Sequence, residues 1–155
     1  MNNERIEYTI LRNLIFNEDY TRKVLPFVNE IFFPKREEQI LFQEINTFVM
    51  KYKNLPSKES ILIELGNRKD INEEENRIVK ELINSLNPEE IDQQWLLDTT
   101  EKFCKDRAVH NAVLDGIKIL DGKDKKRTQE AIPSILADAL AVSFDNHIGH
   151  DYIED

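Results

Sequence analysis

The chain has 155 residues, with 30 Asp plus Glu against 21 Lys plus Arg, a formal net charge of −9, and a composition that is 33% charged and 40% hydrophobic. No apolar run approaches the ~20 residues that a bilayer-spanning helix needs. The N-terminus lacks the pattern of a secretory signal and Cys104 is the single cysteine, so the chain reads as a disulfide-free protein of the cytoplasm. Four glycines and five prolines are too few to punctuate an all-β chain, and about two thirds of the unfolded surface can be buried at this size.

Ile6, Ile10, Leu11 and Leu14 predict a helix that stops near Asn17. A second short helix is expected from Glu18, with Tyr20, Val24 and Leu25 as its apolar face and Pro26 kinking or ending it. Ile31, Phe32 and Phe33 before Pro34 read as three large anchors at a turn. Ile40, Leu41, Ile45, Phe48, Val49 and Tyr52 then predict a longer helix that ends before Leu55-Pro56. Ser57 is in place for an N-cap, but Ser60 rather than Glu or Gln follows three residues on, which signals a capping box only by half. Ile61, Leu62 and Leu65 form the next buried edge, and Gly66 could close that helix in the left-handed conformation. Asn72 followed by Glu73, Glu74 and Glu75 marks another start, with Ile78, Leu82, Ile83 and Leu86 on its inner face.

From Asp92 to Asp121 there is no proline and one internal glycine, and opposite charges recur four apart, as in Lys102 and Asp106. Gly122 should end this long helix. Lys123 to Arg127 makes a solvated basic turn, and Ile132, Ile135, Leu136 and Leu140 give a stripe to a second helix with Pro133 early in it. The expected architecture is all-α: a small globular helical bundle over 1–90, then a long helical hairpin over 91–144. Residues 145–155 open a linker, and the apolar Ile148, Tyr152 and Ile153 in this polar tail predict that the chain continues.

Chemistry is scarce. Phosphate-cradling loops need clustered glycines followed by Lys and Ser or Thr, and the glycines here are scattered. His147 and His150, flanked by Asp145 and Asp151, could ligate a metal, but their spacing fits no zinc signature and a polar tail is the simpler reading. Cys104 has Lys102, Lys105 and Arg107 nearby but no base to activate it, so it reads as a small core filler. No catalytic, cofactor-binding or metal residue is therefore assigned. Lys123, Lys125, Lys126 and Arg127 offer at most a weak DNA contact, having no interleaved aromatic and belonging to an acidic chain.

The hairpin is the informative feature. Leu96, Thr100, Phe103, Arg107, His110, Leu114 and Ile117 alternate four and three along one seam, while Val109, Val113 and Leu120 line its flank with Ile117. The second helix can cover one side with Ile135, Leu136 and Leu140. The other side is left to the globular part or to a second copy, in which case the polar Arg107 and His110 would set the register.

Several stretches together carry a resemblance. They are Leu14-Ile15-Phe16 with Tyr20 and Val24-Leu25-Pro26, then Tyr52 to Ser57, then Gln94-Trp95-Leu96. Arg107-Ala108 with Asn111-Ala112 and Ala131-Ile132-Pro133 follow, and the most specific piece runs from Ala139-Leu140 through Ser143-Phe144-Asp145 to Ile148-Gly149-His150-Asp151-Tyr152. The chain resembles the N-terminal domain of a DnaB-family replicative DNA helicase of the T-even phage type. The resemblance implies a collar that assembles a hexameric ring through the hairpin and docks the primase in a primosome during bacteriophage DNA replication, in the host bacterial cytoplasm. A helicase loader and single-stranded DNA threaded through the full-length ring are further implied partners, and no membrane is. It also implies an ATP- or GTP-hydrolysing, Mg-dependent RecA-like motor elsewhere, whose motifs these residues lack, so the chain itself is expected not to be an enzyme. The alternative is a freestanding acidic helical phage regulator that binds DNA or protein.

Overall fold

Helices account for all the regular structure among residues 5–144, the part of the chain described by the computed structural model; no strand occurs there. The chain divides into two compact units, one ending at Leu96 and the other starting at Leu97.

The first unit contains α1 (Ile6–Phe16), α2 (Glu18–Val24), α3 (Arg36–Tyr52), α4 (Lys58–Gly66) and α5 (Glu73–Ser85). α3 is the central element and packs against α1, α4 and α5. Ile10, Leu11, Leu14, Ile40, Leu41, Ile45, Val79 and Ile83 are fully withdrawn from water, each stabilising the fold by about 1.5–3 kcal/mol relative to exposure. Asn17 separates α1 from α2 by capping the latter, its Oδ1 accepting the Tyr20 N–H at 3.2 Å. Pro26 ends α2 rather than kinking it, because the chain tightens into a 3-10 turn over Leu25–Phe27.

Four details differ from the sequence expectation. Ser57 and Ser60 complete a capping box after all, the Ser60 hydroxyl accepting the Ser57 N–H at 2.9 Å where a longer Glu or Gln usually would. Gly66 does not supply a left-handed residue, since α4 runs into Asn67 in right-handed geometry. The left-handed residue is instead Lys53 at φ 59, where α3 stops. Of the three anchors, Phe32 and Phe33 are buried, but Ile31 is 55% exposed because it lies in a second 3-10 turn, Glu30–Phe32, that turns its side chain outward. On α5, Val79 takes the innermost place and Ile78 is half-buried. The predicted start of α5 holds: Asn72 Oδ1 accepts the Glu75 N–H at 2.8 Å, and Glu75 Oε1 accepts the Asn72 N–H at 3.0 Å.

α6 (Gln93–Leu120) is the long helix read from the sequence, about 42 Å at 1.5 Å per residue. Asp92 starts it, its carboxylate accepting the Trp95 N–H at 2.8 Å. Gly122 ends it at φ 74, with the Lys123 N–H donating to Lys118 O at 2.9 Å and the Gly122 N–H to Ile119 O at 3.1 Å, a Schellman closure. A 3-10 turn, Gln129–Ala131, then leads into α7 (Ile132–Leu140). The second helix of the hairpin thus stops short of 144, the bound expected for the hairpin. Helical pairing stops at Ala141 because Ser143 and Phe144 turn to a side chain of α6: the Ser143 hydroxyl donates to Glu101 Oε2 at 3.1 Å, and the Phe144 N–H to the same oxygen at 2.7 Å.

Candidate self-association surface

In the second unit, α6 carries α7 on one side. A Cβ added at Gly116 would meet Ile132 Cγ2 at 3.7 Å, Glu101 receives Ser143 and Phe144, and Arg127 reaches Asp115 at 3.9 Å. At about 100° per residue, the mean direction of Gly116 and Glu101 lies roughly a third of a turn around the helix from the mean direction of Val113, Leu114, Ile117 and Leu120, with Leu120 nearest to Gly116. Those four side chains are 47%, 44%, 49% and 66% exposed. They recur at three- and four-residue spacing and form a continuous apolar stripe that α7 leaves open.

The residues proposed from sequence divide into two groups. Leu114 and Ile117 lie in the stripe, His110 is exposed one turn before it, and Arg107 is half-buried beside it. Leu96 and Phe103 are buried within the chain, so neither is a free seam residue; Phe103 was expected to need a partner and does not. On α7, Ile135 and Leu136 are half-buried, whereas Leu140 is 58% exposed and does not cover α6 as expected, since it points away at the end of a short helix. Val113 and Leu120, read from the sequence as the flank of the seam, belong to the exposed stripe itself. The signal was present in the 113, 117, 120 spacing, which marks the true stripe more cleanly than the 96-to-114 alternation.

The basic turn is weaker than its composition suggests. Lys123, Lys125, Lys126 and Arg127 are all exposed, but Asp124 stands among them and accepts the backbone N–H groups of Lys126 at 2.8 Å and Arg127 at 3.0 Å and the Arg127 Nε at 2.7 Å. Those donors hold the Asp124 carboxyl below the usual carboxylate range. Of the four basic side chains, that of Arg127 is therefore spent on an internal tie. Cys104 is buried, and desolvation, with the Glu101 charge adding to it, pushes its thiol up to about 12, the opposite of an activated nucleophile. His147, His150, Asp145 and Asp151, the candidate metal ligands, lie outside the described residues. Among the described residues no helix is long and apolar enough to cross a membrane.

No family model matches the chain. In an alignment of 154 residues that covers 94% of the chain, it is 34% identical to a DnaB-like replicative helicase of Enterobacteria phage T4. The chain is similar to a phage replicative helicase. It spans 32% of that helicase's length, and the resemblance read from the scattered motifs is therefore supported across nearly the whole sequence. The helicase likeness covers both units, including the exposed stripe of α6.

Proposed function

We propose that this chain is the N-terminal collar of a hexameric replicative DNA helicase, bringing copies together through α6 and α7 and docking the primase during phage DNA replication. The observation that supports it best is an alignment covering 94% of the chain and about a third of a replicative helicase, coupled to a stripe of large apolar side chains on the long helix that the described residues leave exposed. Nucleotide hydrolysis would belong to a motor outside these residues, and DNA would be handled by the assembled ring rather than by the Lys123 to Arg127 turn, whose charge is partly spent on Asp124.

Exposed Val113, Leu114, Ile117 and Leu120 each forgo part of the ~1.5–3 kcal/mol that full burial brings, and a symmetric copy buries them without new sequence. Sedimentation at about a hundred micromolar tests this, since an association worth 5 to 6 kcal/mol shows there. Wild type should sediment as an oligomer, and Leu114→Asp should be monomeric with helical content unchanged. A wild-type chain that remains monomeric at that concentration rejects self-association through this surface. Co-sedimentation with the cognate primase, lost in the same variant or retained, then tells whether docking needs the assembled form.

A further inference from the structure

The apolar face of α3 does not end in the core. Ile45 is fully buried, Phe48 is half-buried, and Tyr52 at the end of the helix is 48% exposed. The Phe48 and Tyr52 rings pack against each other with centroids 4.7 Å apart. Lys51 holds its ammonium 5.3 Å from the centre of the Tyr52 ring and has no carboxylate partner among the described residues. Lys53 follows in left-handed geometry and is exposed. These residues fall in the longest stretch of the chain without an acidic side chain, 45–58, which carries Lys51, Lys53 and Lys58 in a protein of net charge −9.

We propose that Tyr52, backed by Phe48 and flanked by Lys51 and Lys53, is a stacking site for an unpaired base of single-stranded DNA, whose phosphates the lysines take. All of these residues belong to the first unit, so the site goes beyond the collar reading and stands without any association of copies.

An exposed ring beside ammonium groups is the pairing that single-strand binding without sequence preference uses, the ring stacking on a base and the cations following the backbone. In a duplex the base faces are already stacked, so Tyr52 finds one only on an unpaired strand. The ammonium over the ring is weakly held at an exposed position, and an incoming base displaces it towards the neighbouring phosphate. The carbonyl end of α3 by itself repels an anion. Lys53 answers it, its Nζ donating to Met50 O at 2.8 Å with further donors to spare. A protein partner centred on Tyr52 would instead have to strip water from both Lys51 and Lys53, and lysine is depleted from the middle of such interfaces.

The test is fluorescence anisotropy of a labelled oligodeoxythymidylate of about 15 nucleotides, titrated with the whole chain from about 0.05 M to about 0.3 M salt and compared with a duplex of equal length. Wild type should bind the single strand in the micromolar range at low salt and the duplex more weakly. Tyr52→Ala should weaken single-strand binding about fivefold or more, with Tyr52→Phe retaining it. Lys51→Gln should reduce the slope of log affinity against log salt by about 0.7, the share of one phosphate on a single strand. Thermal unfolding and sedimentation of these variants should match wild type, which separates the site from the fold and from the α6 surface. The proposal is overturned if Tyr52→Ala binds like wild type, or if wild type shows no binding at about a hundred micromolar. Binding lost in Lys125→Gln instead would move the contact to the basic turn, and equal affinity for duplex and single strand would leave charge without stacking; either refutes the site. Unchanged oligonucleotide binding with loss of primase co-sedimentation in Tyr52→Ala would give the surface to a protein, and refutes it as well. A wild type that stays monomeric yet binds the single strand through Tyr52 removes the collar reading alone.

Discussion

One carboxylate oxygen of Glu101 accepts both the Phe144 N–H, at 2.7 Å, and the Ser143 hydroxyl, at 3.1 Å, and so ties the segment after α7 to the middle of α6 across 43 residues of sequence. Hydrogen bonds to a charged acceptor are worth about 1.5–3 kcal/mol when buried, and Glu101 is half-buried. Glu101→Ala should therefore cost about 1 kcal/mol in urea unfolding and speed amide exchange at Phe144. Glu101→Gln keeps a neutral acceptor and should lose less.

Gly116 sets an easily testable gain. It lies inside α6 in ordinary helical geometry, and a Cβ there would touch Ile132 Cγ2 at 3.7 Å, a normal contact distance. Glycine in a helix interior costs roughly 0.5–1 kcal/mol relative to alanine. Gly116→Ala should accordingly raise stability by that amount with association unaltered, as measured by denaturant midpoint and sedimentation.

The basic turn should be acid-sensitive. Asp124 has its pKa lowered by the backbone N–H groups of Lys126 and Arg127 and by the Arg127 side chain. A carboxylate depressed in the folded state contributes stability that is complete above its unfolded value and is lost as pH falls through the folded value. The amide resonances of Lys126 and Arg127 should thus titrate with a midpoint below the ordinary aspartate value of 3.8, and Asp124→Asn should remove that titration.

Cys104 should be silent in the native state. With its thiol pushed up to about 12 by burial, about one molecule in ten thousand carries the thiolate at pH 8. Alkylation by iodoacetamide at that pH should follow unfolding, tracking denaturant concentration. Native labelling within minutes would show that the side chain is open to solvent.

The helices were legible because their signals are local. Asn72 with Glu75, Pro56 ahead of Ser57, and Gly122 after Leu120 each act on the backbone within a turn or two, and the sequence boundaries fall within a residue or so of those found. Where the reading slipped, longer-range partners decided. Periodicity alone could not tell that Phe103 is covered while Val113 is open, since both recur at helical spacing and burial depends on what the rest of the chain brings against each face. Nor could it foresee that the Glu101 carboxylate would unwind the end of the second hairpin helix.

The first unit also closes on itself in a way that bears on its synthesis. The Tyr8 hydroxyl donates to Ser85 O at 2.5 Å, Arg12 reaches Glu89 at 3.1 Å, and the Asn17 side-chain amide donates to Gln93 Oε1 at 2.9 Å. Three successive points on α1 and its cap are thereby met by residues made 76 or 77 positions later. A ribosome extending the chain by about 5–20 residues per second delivers those partners several seconds after α1 has left the exit tunnel. During that interval the apolar face of α1, with Ile10, Leu11 and Leu14, has its earlier neighbours α2 and α3 but not the stitches that lock it. The nascent helix is therefore a natural client for holding chaperones until Gln93 emerges.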